Sequence, residues 1–178
     1  MPVRIAINGF GRIGRAAFKI ALKNKNVEIV AINDLGDTDY MAYLLRYDTA
    51  YGNFSEKVST GKDFIQVGKK KYPKVSEPDL TKLPWKKYKV DVVLECTGVF
   101  VKDDAAAGHL RAGAKYVVIS APSKGDKAFN TYVLGANEER LRGESKKIIS
   151  NASFALISGK RLFTSFAIIW LTFIETSF

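Results

Sequence analysis

The chain reads as an α/β protein with a doubly wound, mostly parallel sheet, and three observations lead there. Apolar runs of strand length stand at residues 3–7, 27–32, 90–96 and 116–120. They are close to continuous rather than alternating, as strands covered on both faces require. Stretches of helical periodicity fall between them, so the order is strand, helix, strand, the pattern of a sheet wound by crossovers.

The first strand, residues 3–7, leads through Asn8 into Gly9, Phe10, Gly11, Arg12, Ile13 and Gly14. In a strand-to-helix turn of this spacing the first glycine permits the tight bend, the second lets backbone approach a pyrophosphate, and the third packs helix on strand. The helix that follows sets Ile13, Ala16, Ala17, Ile20 and Ala21 at helical spacing, with Arg15, Lys19 and Lys23 between them. Its start is predicted to bind phosphate, because the first N–H groups of a helix lack intrahelical partners and the dipole there is positive. Arg12 adds a charge nearby.

The second strand, residues 27–32, ends beside Asn33 and Asp34. Asp34 stands twenty positions beyond Gly14, which places a carboxylate at the strand's carboxyl end, where it hydrogen-bonds a ribose 2′-hydroxyl and repels a 2′-phosphate. Leu35 and Gly36 supply no cation to reverse that preference. Strand, glycine turn, helix, strand and spaced acid together predict a Rossmann-type dinucleotide site that takes NAD rather than NADP.

Further along, Asp37 or Thr38 caps a helix through Tyr40, Met41, Leu44 and Leu45. Residues 53–85 turn to short extended pieces, among them 64–67 and 70–75 around a Gly68-Lys69 turn, and read as a small antiparallel insertion. Residues 103–114 are alanine-rich and predict a crossover helix between the strands at 90–96 and 116–120. Two more short strands, 131–134 and 147–150, are expected around a helical turn at 137–141.

Composition bounds the function. A chain of 178 residues with 47% apolar content suits one ordinary domain and is short for a two-domain dehydrogenase. One cysteine and one histidine exclude an internal disulfide and predict no metal site. The net charge of +10 is spread over separate lysine clusters at 19–25, 69–71, 86–89 and 146–147, the pattern of a solvated basic face, so no nucleic-acid partner is expected. The start of the chain lacks the features of a secretory signal, which makes a cytoplasmic setting the expectation.

A set of longer motifs is more specific than the glycine turn: Ile7 to Arg15, Asn33-Asp34, Tyr47-Asp48, Glu95-Cys96-Thr97-Gly98-Val99-Phe100, Val118 to Pro122, and Ile149-Ser150-Asn151-Ala152-Ser153. In this order they closely resemble glyceraldehyde-3-phosphate dehydrogenase, and the resemblance covers residues 1–153. It implies that Arg12 and Ile13 meet the pyrophosphate, Asn33 and Asp34 the adenosine ribose, Thr97 and Gly98 the adenine side, and Ser120 the nicotinamide half. Many relatives carry an arginine beside the adenine near Ser76-Glu77-Pro78, which this chain lacks, so adenine contact is expected to be modestly weaker. The related enzymes acting on erythrose 4-phosphate share most of these motifs.

The resemblance also implies a nucleophilic cysteine directly after Ser153, but Phe154 occupies that position, and residues 154–178 resemble nothing in the family. The division expected is therefore 1–153 as an NAD-binding domain and 154–178 as an apolar tail, without the family's catalytic domain, its base or its site for glyceraldehyde 3-phosphate. No catalytic residue is assigned, and cofactor capture without chemistry is expected. Family members form homo-oligomers, an assembly left open for this chain; a non-catalytic nucleotide-binding or regulatory subunit is the alternative. Cys96 and His109 are expected to be structural, and Thr97 and Ser120 are also ordinary strand-end residues that satisfy backbone groups. In the tail, residues 162–174 are thirteen uncharged residues after Lys160 and Arg161, fewer than the roughly 20 that span a bilayer. The abrupt change of pattern at Phe154 is what a shifted reading frame would produce.

Overall fold

The structure, a computed structural model, describes residues 1–49, 52–122, 130–133, 137–141 and 144–151. Its elements run β1 (Val3–Asn8), α1 (Arg12–Ala21), β2 (Val27–Asn33), α2 (Thr38–Arg46), β3 (Val58–Gly61), β4 (Phe64–Val67), β5 (Lys70–Val75), β6 (Val92–Glu95), α3 (Asp103–Ala106), α4 (Gly108–Arg111), β7 (Tyr116–Ile119) and β8 (Ile148–Ser150), with 3-10 turns at Leu80–Lys82 and Glu138–Leu141. The eight strands form one sheet in the order β3-β4-β5-β2-β1-β6-β7-β8. Pairing is parallel from β5 through β8, and β3-β4-β5 form the antiparallel portion. The fold is the Rossmann-type architecture expected, with the antiparallel strands attached to the parallel sheet where β5 lies along β2 at Ile32 and Asn33.

Both faces of the sheet are covered. Ile5, Ile7, Ile29 and Ile32 pack on one side with Phe18 of α1 and Met41 and Leu45 of α2. Ala6, Val30, Ala31 and Val93 point the other way, onto Leu80, Leu83, Trp85 and Ala112. In β1 alternate residues enter opposite cores, while in β2 a register shift at Val30 puts Val30 and Ala31 in the same core; double burial is why the strands read as apolar runs. Among the described residues no helix is long and apolar enough to cross a membrane.

The order of strands fixes where a ligand can sit. The chain moves from β1 outward to β2 on one side, then returns to place β6 on the other side of β1. The connections leaving the carboxyl ends of β1 and β6 therefore separate, and a crevice opens between them, the topological switch point where open α/β sheets bind ligands.

Several expectations are adjusted in detail. In α1 the buried face is Gly14, Ala17, Phe18 and Ala21, so the apolar stripe is turned toward Phe18, while Ala16 and Ile20 are only partly covered. Asp37 is the cap of α2, accepting from the backbone N–H groups of Asp39 and Tyr40 at 2.9 and 3.0 Å. Tyr40 faces solvent rather than the core, because the 3.6-residue turn puts Met41, Ala42 and Leu45 on the inner side and Tyr40 and Tyr43 opposite. The strand expected at 131–134 is reduced to a bridge between Thr131 and Ser150, with Leu134 outside the described residues. Residues 154–178, the expected tail, lie outside them as well.

The alanine-rich crossover is the clearest departure. Instead of one helix over 103–114, α3 and α4 are separate single turns that part at Ala107. Gly108 is pressed against the Leu80 turn, where an added Cβ would stand 2.7 Å from the Cβ of Leu80. That close approach seats the next residue, His109, in the interior, and a straight helix is given up for it. Gly108→Ala is therefore expected to lower stability by about 1–3 kcal/mol through overpacking, although alanine is the better helix former by roughly 1 kcal/mol; equilibrium urea unfolding of the two proteins measures the sign.

Candidate functional site

The site assembles at the carboxyl ends of β2, β1 and β6, whose last residues Asn33, Asn8 and Glu95 are paired across the sheet in one row. Beyond Asn8 the chain turns sharply at Gly9, with φ +90°, and enters α1 at Arg12. A side chain at Gly9 would meet the Thr97 backbone nitrogen at 2.8 Å, so the glycine turn lies directly on the loop that follows β6. A Cβ on Gly14 would overlap the carbonyl oxygen of Gly9, which is how closely α1 sits on its own turn. The first and third glycines are fixed by contact.

Gly11 differs from both. A Cβ there would meet no atom within 4 Å. It is exposed and forms the N-cap of α1, with no side chain capping the first turn and no acidic residue in it. Helix-start N–H groups therefore face open space in front of a ten-residue helix, a setting that suits an anion in want of donors. Arg12 is exposed at the first helical position and Ile13 is partly buried behind it. The residues present fit a pyrophosphate: donors without partners, a positive helix end, a cation, and no side chain in the way.

Asp34, half-buried one residue beyond β2, faces this turn. Its Oδ2 accepts from the Phe10 N–H at 2.6 Å and its Oδ1 from the Gly36 N–H at 2.8 Å. A carboxylate offers about four acceptor positions, so it holds the turn and retains capacity for a ligand hydroxyl. Asn33 is buried, its carbonyl accepting from the Gly9 N–H at 2.8 Å. Thr97 and Gly98 are exposed on the loop after β6. Ser120 is one strand further across, at the end of β7, with its N–H donated to the Glu95 carbonyl at 2.9 Å. Thus Asn8 to Gly14, Asn33, Asp34 and Thr97 come together through direct contacts, Gly98 follows on the same loop, and Ser120 extends the edge on the far side.

Two apolar side chains to which the sequence analysis gives no binding role stand in solvent at this edge. Leu35 is 66% exposed and Val99 70%; one follows Asp34, the other Gly98. The larger omission is Glu95, fully buried and hydrogen-bonded to Asn8 and to the buried His109. Its signal in the sequence is a lone carboxylate at the end of an otherwise apolar strand. Cys96 is a buried thiol whose pKa is pushed up, first by burial and then by the Glu95 charge, against a hydrogen bond with Ser120. It is a packing residue rather than a nucleophile.

Comparisons with known proteins identify the family. The family model for the NAD-binding domain of glyceraldehyde 3-phosphate dehydrogenase matches residues 3–103. The chain is 48% identical over 151 residues to the glyceraldehyde-3-phosphate dehydrogenase of Mycoplasma pneumoniae, covering 85% of this chain and 44% of that protein. It is 48% identical over 153 residues to the cytosolic enzyme of Trypanosoma brucei brucei, covering 86% of this chain and 45% of that one. Against the Buchnera aphidicola enzyme the figures are 46% over 153 residues, 86% and 45%. The chain therefore spans less than half the length of these relatives, and through its NAD-binding domain it belongs to the glyceraldehyde-3-phosphate dehydrogenase family, whose cofactor is NAD.

Proposed function

We propose that this chain captures NAD across the carboxyl ends of β2, β1 and β6, with the pyrophosphate at the start of α1. The observation that carries the reading is Gly11, an uncapped helix start whose missing side chain leaves open space. Arg12 and Ile13 meet the pyrophosphate there. Asn33 and Asp34 hold the adenosine ribose, and the Asp34 carboxylate disfavours a 2′-phosphate through like-charge repulsion. Thr97 and Gly98 form the adenine side, with Leu35 and Val99 as apolar walls, and Ser120 serves the nicotinamide half. NAD, when bound, supplies a hydride acceptor.

In the intact enzyme this capture serves the phosphorylating oxidation of glyceraldehyde 3-phosphate. Here Phe154 stands at the position of the nucleophilic cysteine, so the chain binds cofactor without turning over substrate, in a cytoplasmic setting like that named for the trypanosome relative. The same substitution favours a second reading, a non-catalytic nucleotide-binding subunit paired with a full-length relative, for which co-elution on gel filtration is the discriminating result. In either case residues 1–153 are proposed as the binding unit.

Calorimetric titration of the full chain with NAD tests capture directly. Gly11→Ala is expected to leave the unfolding free energy within about 0.5 kcal/mol of the parent while weakening NAD at least about tenfold, since the methyl group enters the space a phosphate needs. Gly14→Ala is expected to cost about 2 kcal/mol or more in stability, because the turn must open to admit it. Unchanged NAD affinity in Gly11→Ala removes the pyrophosphate placement. Asp34→Ala is expected to weaken NAD about tenfold and NADP less, so that discrimination between the two narrows; equal losses for both would contradict the role given to the carboxylate.

A further inference from the structure

We infer that Glu95 is a positioning residue for the NAD site, its buried carboxylate orienting Asn8 and the Thr97 loop, with its acceptor role fixed from behind by Trp85 through His109. The inference rests on the NAD capture proposed above and concerns residues to which neither the glycine turn nor its acidic partner points.

The direction of every hydrogen bond in the cluster is determined. Trp85 Nε1–H can only donate, and it lies 2.9 Å from His109 Nδ1, which must accept. The imidazole proton is then on Nε2, which donates to Glu95 Oε2 at 2.9 Å. The pair is thus a hydrogen bond from a neutral ring to a carboxylate. From the other side, the Glu77 backbone N–H donates to Asn33 Oδ1 at 2.9 Å, and the Glu77 carbonyl accepts from Asn33 Nδ2 at 3.0 Å. Backbone therefore sets the amide of Asn33, which donates to Asn8 Oδ1 at 2.7 Å. Asn8 is left with its Nδ2 to donate to Glu95 Oε2 at 2.5 Å. On the remaining oxygen, Oε1 accepts the Thr97 N–H at 2.8 Å and the Thr97 hydroxyl.

Four donors thus converge on two oxygens, and neither end of the chain can reverse. Only a carboxylate satisfies that set, since an amide would turn an NH2 toward one pair of donors. Burying a carboxylate is a poor route to stability, but it is an effective way to impose direction. What Glu95 directs is the site: Asn8 precedes the Gly9 turn, and Gly9 lies so close to Thr97 that an added Cβ would stand 2.8 Å from both the Thr97 backbone nitrogen and its Cγ2. The Thr97 hydroxyl in turn accepts the Val99 N–H at 3.1 Å, so the same carboxylate shapes the loop as far as Val99.

The test is a double-mutant cycle on the full chain, with NAD affinity read by calorimetry and folding by urea unfolding. Glu95→Gln keeps the side chain's volume and is expected to raise the NAD dissociation constant of the folded protein about tenfold. Trp85→Phe, on the opposite core face, is expected to raise it about threefold by releasing the His109 tautomer. Once released, His109 can carry its proton on Nδ1 and accept from the amide that Glu95→Gln introduces, so the Glu95→Gln penalty shrinks when Trp85→Phe is present. A merely structural role gives a lower unfolding midpoint, unchanged NAD affinity in the folded state and penalties that add. If the unmodified chain binds NAD and folded Glu95→Gln binds it equally well, the positioning role is overturned while capture stands. Failure of the unmodified chain to bind NAD overturns both. Should Glu95→Gln not fold, unchanged affinity in Trp85→Phe overturns the inference alone.

Discussion

The structure depends on a buried hydrogen-bonded row across its three central strands. At the switch point β1 and β6 run side by side and their continuations part, so the end of the sheet is where backbone and side-chain polar groups are hardest to satisfy. Asn33, Asn8 and Glu95 occupy that row in register and complete one another. A lone carboxylate in this interior would be costly by several kcal/mol; with four donors it becomes a fixed acceptor around which two loops are built. The crevice can remain open because its floor is closed.

That floor explains the division of labour among the glycines. Gly9 rests on Thr97, which Glu95 holds, and Gly14 brings α1 onto the carbonyl of Gly9. Both are packing positions, and their lack of a side chain is consumed inside the protein. Of the three glycines in the turn, Gly11 is the one that leaves its space to something outside. Asp34 adds a second tie by accepting the Phe10 N–H, so the turn is braced from β2 and from β6 before any ligand arrives. Preorganisation of this kind lowers the ordering cost of binding.

Much of this is legible in the sequence, for reasons that are local. The strand runs at 3–7 and 27–32, the spacing of Asp34 from Gly14, and the Asp37 cap all depend on neighbours within a few residues or on one repeated unit. Where tertiary contact decides, the sequence misleads. Alanine content at 103–114 favours a helix, yet Gly108 against Leu80 and the burial of His109 divide it. The inner face of α1 is turned to Phe18 because that ring meets Phe10 and Tyr72 edge-on, at 5.4 and 4.9 Å between centroids. Tyr72 comes from β5, whose position beside β2 no local pattern reveals. The Glu95 cluster is hidden for the same reason, its bonds joining residues 87 and 14 positions apart.

The edge proposed for the cofactor is supported from within the sheet. Every group assigned to NAD up to Thr97 and Gly98 is held by β1, β2, β6 and the Glu95 row. β8 adds the far end of the edge: the Asn151 N–H donates to the Ile119 carbonyl at 3.0 Å and the Ser150 hydroxyl to the Ala121 carbonyl at 2.9 Å. The described contacts that shape the dinucleotide crevice are satisfied within the sheet that forms it.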